Sequence, residues 1–226
     1  MKSNIFLRVI IGCLVLLTAI TSRAANLSNK EALDFAATKG KELLMSFQQP
    51  DLEKRYKELD NMFITYIDID YVSKFVVGKY WRQMTAEQQQ KYKDIFVRYG
   101  LSYYKTLPLD YAKNLTYEIK GAETEGAFVN VATNVRIQLG QETQDITLIF
   151  RLHKNNDVIK AVDVKVAESS LLLAYRSKFY EMISQNDGEI VWFLEDLEDL
   201  AASMEQNLRE NVLKQQKSLE LEAKNS

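Results

Sequence analysis

The side chains that could carry out a reaction are few. A hydrolytic site pairs a nucleophile with a base, most often histidine, and the chain has one, His153. It falls in step with Arg151 on the polar side of an alternating stretch, which predicts an exposed strand histidine with no base function. The single cysteine, Cys13, lies near the amino terminus, so no zinc site of the usual Cys/His kinds can be assembled. The densest acidic group, Glu195, Asp196, Glu198 and Asp199, is interleaved with leucines and reads as the solvated face of a helix. Gly40-Lys41 and Gly78-Lys79 lack both the earlier glycine and the following Ser or Thr of a nucleotide loop. The expectation is a protein that is not an enzyme and needs no metal or cofactor, with a hydrolase using His153 as the least favoured class.

The first 25 residues read as an export signal. Lys2 and Arg8 precede an apolar run from Val9 to Ile20, and Ser22, Arg23 and Ala24 supply the small residues of a cleavage site. The run is shorter than the ~20 residues a spanning helix needs. Cys13 has a small-residue setting like that of a lipidation site, but it stands too close to Arg8 to leave an apolar stretch ahead of the cut. Cleavage would remove Lys2, Arg8 and Arg23 from the 29 basic residues, leaving 26 against 31 acidic ones and a formal charge of −5. Without cysteine the fold must then be held by its core. A mildly acidic chain with no basic block is a poor partner for nucleic acid.

What must position any site is a set of regular elements, as 8 Gly and 2 Pro imply. Ser28 and Glu31 make a capping box, followed by a helical stripe Leu33, Ala36, Leu43, Leu44, Phe47 that Pro50 ends. Short helices are predicted from Asp51 to Phe63 and around Tyr71–Val76. Thr85 and Gln88 open a long helix with Tyr92, Ile95, Phe96, Tyr99 and Tyr103 on one face. After Pro108 the period changes to two. Leu115, Tyr117, Ile119; Val129 to Leu139; Ile146 to Leu152; and Val158 to Val166 predict four strands, with breaks at Gly121–Gly126, Gly140–Glu142 and Asn155–Asp157. Ser169 or Ser170 starts a further helix, and after Gly188 comes a last one carrying Ile190, Leu194, Leu197, Ala201 and Met204. The predicted fold is α+β, with an antiparallel four-stranded meander covered on one face by N-terminal and C-terminal helices that enclose an apolar cavity. The domain is expected over residues 26–204, followed by a polar helical or disordered tail over 205–226.

Two stretches are more specific. Val77, Gly78, Lys79, Tyr80, Trp81, Arg82, then Met84, Thr85, Glu87, Gln88, Tyr92 and Phe96, together with Asp163, Val164, Val166, Ser170, Leu171, Tyr175, Arg176, Ser177 and Phe179, resemble the two signatures of the MlaC (toluene-tolerance) family. The resemblance spans Ser28 to Leu200. It implies a soluble, monomeric periplasmic carrier of phospholipid. Such a carrier exchanges cargo with an MlaA-like outer-membrane lipoprotein complex and an inner-membrane ABC transporter bearing an MlaD-like MCE subunit, and so helps maintain outer-membrane lipid asymmetry. The sequence departs from the family pattern at Glu168 and Ser169, where a glycine is expected, and in its extended tail.

Hiding two acyl chains means removing on the order of thirty methylenes from water at ~0.8 kcal/mol each, so a carrier needs an enclosed apolar space. The predicted lining is Val131, Val135, Ile137, Ile146, Leu148, Phe150 and Val164 from the sheet, opposite Phe75, Tyr99, Tyr103, Tyr175 and Phe179 from the helices. Lys79, Arg82 and Arg176 are candidates for the headgroup phosphate. Alternating valines facing helical aromatics equally describe a filled core. A periplasmic adaptor with a solid interior is therefore the alternative.

Overall fold

The structure is a computed structural model that describes residues 26–105, 115–139 and 142–225; the segment expected as an export signal and Pro108 lie outside them. Helix α1 (Asn29–Phe47) opens on the expected box, the Ser28 side chain accepting from the Glu31 amide and Glu31 bonding back to Ser28. Asp51 caps α2 (Leu52–Tyr66), and Asp68 caps α3 (Ile69–Val77). A 3-10 turn, Gly78–Gln83, leads to α4 (Ala86–Lys105), where Thr85 and Gln88 exchange side-chain bonds to each other's amides. These caps satisfy amides that the first helical turn leaves without partners.

The sheet is an antiparallel meander of five strands, β1 (Thr116–Glu125), β2 (Phe128–Leu139), β3 (Glu142–Asn155), β4 (Val158–Val166) and β5 (Ser169–Ser170). Four strands were expected. The fifth is two residues long, too short for any alternation to register, and forms because the chain reverses at Ala167 and pairs Ser169 with Val166. The break expected at Gly121–Gly126 also moves: β1 runs on through Gly121, which pairs with Ala132 after a bulge at Lys120, and the turn falls at Gly126 with φ +63°. At the β3–β4 hairpin Asn156 and Asp157 both take positive φ, which Asn and Asp accommodate best after glycine.

Helix α5 (Leu171–Gln185) follows β5 with Ser170 as its cap, and α6 (Ile190–Asn225) runs unbroken through the segment expected as a tail. Arg98 on α4 bonds both Glu198 and Glu205 of α6, so part of the acidic face expected to be solvated is tied down.

The apolar interior is divided in two. One core is helical: Val76, Val77, Tyr92, Ile95, Phe96, Tyr99, Phe179, Ile183, Phe193, Leu197 and Ala201 are buried together from α3 to α6. The other lies between α1 and the sheet, where Leu27 and Ala32 meet Val129, Val131, Leu152 and Ala161. The expectation that all helices cover one sheet face is corrected here. Side chains alternate across a strand, so Phe128 and His153 point away from the face of Val129 and Leu152, and Tyr71 of α3 packs on both of them. The helical core sits along the outer edge of β4, beside Ala161, whose carbonyl takes the Asp68 amide at 2.9 Å.

Candidate functional site

The register brings the predicted sheet residues onto one face. Val131 pairs with Phe150 and Phe150 with Val164, while Val135 pairs with Ile146 and Leu148 lies between Thr133 and Val166. Burial then separates them. Val131 and Val135 are buried, whereas Ile137, Ile146, Leu148, Phe150 and Val164 are only half-buried. An apolar strip of the sheet is thus incompletely covered by the chain's own described side chains.

The helical half of the predicted set sits elsewhere. Tyr99 and Phe179 are buried in the helical core, their ring centroids 5.8 Å apart, and Phe75 and Tyr175 pack against the same core. Tyr103 is different: it is 40% exposed, and its ring leans on Tyr175 at 5.8 Å. Burial pushes the Tyr175 hydroxyl above its ordinary pKa. Phe75, Tyr99, Tyr175 and Phe179 thus belong to the helical core and Val131 and Phe150 to the sheet core, with the half-buried strip and the Tyr103–Tyr175 pair as the accessible portions of the set.

The three headgroup candidates differ in availability. Arg176 is engaged inside the fold: Nη1 donates to the Phe75 carbonyl at 2.7 Å, Nη2 to the Tyr180 hydroxyl at 3.0 Å, and the guanidinium stacks on both rings. Lys79 is exposed with its ammonium over the Tyr80 ring, and Arg82 is exposed. Gly78 explains why these two stretches of sequence are so particular. Its φ of +50° suits glycine, and a Cβ there would run into the Tyr180 hydroxyl and the Arg176 guanidinium.

Two buried carboxylates join the helical core to the sheet. Asp163 on β4 accepts from the Ser170 hydroxyl at 2.7 Å and the Leu172 amide at 3.0 Å, fixing the start of α5. Asp68 accepts from the Tyr71 amide, from Asn155 at 3.0 Å, and lies 2.8 Å from His153 Nε2. Burial pushes the Asp68 carboxyl up, but the bonds from Tyr71, Asn155 and His153 outweigh it and hold it below the ordinary value. His153 is thus no exposed strand histidine. Its side chain is 16% exposed, because the segment entering α3 folds over the end of the sheet, a long-range contact that strand alternation does not reveal.

Among the described residues no cluster of His, Cys, Asp and Glu could hold a metal ion, and no helix is long and apolar enough to cross a membrane. Two open surface grooves of about 480 and 550 Å³ run along α2 at Tyr56 and along α4 at Ile95, and none of the expected site residues lines either.

Known proteins give this geometry a context. No curated protein matches the chain. It is similar to the phospholipid-binding protein of Ralstonia solanacearum solved in complex with a phospholipid, with 20% identity, a TM-score of 0.63, and coverage of 76% of this chain and 97% of that one. At such identity the likeness is one of fold. A model of the MlaC protein family matches residues 41–199, a stretch that holds both signature segments, the 3-10 turn and the α5 face that meet at Gly78. The chain belongs to the MlaC family.

Proposed function

We propose that the protein is a periplasmic phospholipid carrier, exported by a signal peptide over residues 1–25 that is then removed. It holds the acyl chains of one lipid against the half-buried sheet strip. Its cargo is exchanged with an MlaA-like outer-membrane lipoprotein complex and with an inner-membrane ABC transporter through an MlaD-like MCE subunit, which serves outer-membrane lipid asymmetry. The observation that carries the reading is the incomplete cover over Ile137, Ile146, Leu148, Phe150 and Val164 in a chain of the MlaC family. Membership of that family and the phospholipid held by the fold relative from Ralstonia solanacearum support it.

Physically, each methylene moved from water to an apolar wall gains ~0.8 kcal/mol. The same gain is available in a bilayer, so tail burial is nearly neutral between membrane and carrier. Net direction then comes from the partners and the ATP spent by the transporter. The chain's role is binding and not bond-breaking.

Organic extraction of the folded, purified protein should release about one phospholipid per chain, identified by mass spectrometry. An extract free of lipid, from protein expressed where phospholipid is plentiful and the signal is processed, would replace the carrier with the solid-cored adaptor.

A further inference from the structure

We propose that Lys178 seats the phosphate of the bound lipid, a phosphodiester held at the apolar rim where α4 and α5 meet. The inference rests on the carrier reading above and deepens it.

Large apolar side chains are exposed at one corner of the molecule: Val166 at 39%, Leu171 at 39% and Leu173 at 55% surround the β4–α5 connection, and Tyr103 at 40% leans against Tyr175 of the same helix. Leu171, Tyr175 and Lys178 follow one another at steps of four and three, so they lie along one face of α5. The ammonium of Lys178 donates to the Tyr99 hydroxyl at 2.9 Å and rests 5.1 Å from the centre of that ring. Tyr99 in turn contacts Tyr103 at 6.3 Å and Tyr175 at 5.9 Å. One cation is thus fixed by a row of aromatic rings directly to the apolar rim.

Several lysines, Lys79 among them, are not held by a carboxylate, and Lys178 is distinguished by its contact with the aromatic row at the rim. Among the described residues it has no carboxylate partner. Glu181, one turn further along, takes a bond from Gln185 instead. Arg98, Lys105 and Lys154 are each paired with a carboxylate, and Arg176 is held by the Phe75 carbonyl and Tyr180. Arg82 is exposed, but no exposed large apolar side chain shares its turn. An ammonium has three donors and Tyr99 takes one. Two remain for an anion, in the charge-assisted geometry that favours a phosphate oxygen. An apolar rim beside that cation selects a phosphate attached to acyl chains over the free ion.

The test compares capture of two lipids carrying the same fluorescent acyl chain, phosphatidylglycerol and phosphate-free diacylglycerol, from vesicles by the full-length processed protein. Lys178→Glu should lower phosphatidylglycerol capture by about tenfold or more, the effect of losing one charge-assisted bond, with diacylglycerol capture unchanged. Lys178→Arg should restore it, and unchanged thermal unfolding of both variants excludes a folding defect. Equal loss on the two lipids, or no loss on either, overturns the proposal. So does saturable binding of inorganic phosphate to the lipid-free protein that Lys178→Glu abolishes while leaving lipid capture intact, since the site would then belong to the free ion. A wild-type chain that captures neither lipid removes the carrier reading itself, and this assignment with it.

Discussion

Arg176 donates a 2.7 Å hydrogen bond to the carbonyl of Phe75, 101 residues earlier in the chain. That carbonyl belongs to the last turn of α3, where helical acceptors lose their intrahelical partners, so the bond closes the end of one helix with a side chain from another. Gly78, Tyr180 and the Phe75 ring complete the joint. The two stretches by which the sequence resembles its family therefore meet in one joint, a close approach between the Gly78 backbone and the side chains of α5.

Gly78→Ala should be costly, because the backbone there is strained for any side chain and Tyr180 and Arg176 fill the space. Urea unfolding is expected to show a loss of ~1–3 kcal/mol from strain alone, with the clash adding to it. Gly126→Ala is the control, as its φ is also positive but nothing lies within 4 Å. Equal losses for the two would mean that the joint with Arg176 contributes nothing.

Leu148→Trp and Val131→Trp should behave differently although both lie on the apolar sheet face. Leu148 is half-buried, so a larger ring there should displace lipid, seen as less phospholipid per chain on extraction, while the melting temperature holds. Val131 is fully buried beneath α1, and overpacking it should cost ~1–3 kcal/mol of stability. A Leu148→Trp protein that is destabilised and still fully loaded would mark that strip as core.

Ala167 occupies φ +53° at the reversal between β4 and β5, where a residue with a Cβ is disfavoured by roughly 1–2 kcal/mol. Ala167→Gly relieves that strain at some entropic cost. The expected result is a gain of about 0.5–1 kcal/mol in chemical unfolding. A loss would show that the turn is held for another reason.

Acid should loosen α1 before the helical core. Lys154, and then the Ser28 hydroxyl and amide, hold the Glu31 carboxyl down to about 2 from the ordinary 4.5. A carboxylate whose folded pKa is depressed contributes stability above its unfolded value, and that contribution fades as pH falls toward the folded one. The protection of the first α1 amides, measured relative to the intrinsic exchange rate at each pH, should therefore fall between about pH 4.5 and 2, and Glu31→Gln should remove the dependence. An unchanged profile in the variant would assign the effect to another group.

Much of this architecture was legible because it is local. Ser28 with Glu31 and Thr85 with Gln88 are reciprocal bonds across three residues, and the alternation that sets Val131, Phe150 and Val164 in one cross-strand row is a property of each strand alone. The carboxylate pins were not legible, since Asp68 and His153 are 85 residues apart and nothing in either neighbourhood announces the other. The glycine sought at Glu168 or Ser169 belongs by conformation to Ala167, a distinction only the backbone supplies. Lys178 carried a weak signal, standing three residues after Tyr175 on the same helical face. What spacing could not reveal is that Arg176, two positions earlier, is committed to Phe75.

The two cores meet along β4 through short backbone pairings, two carboxylates and the ring of Tyr71 on Phe128 and His153, so the junction is narrow and largely polar. Parting two oily surfaces exposes them to solvent at full cost, whereas a hydrogen bond opened at Asp68 or Asp163 is replaced by one to water. Opening the molecule along that line would expose one aromatic contact and otherwise exchange internal hydrogen bonds for bonds to water, leaving each block packed.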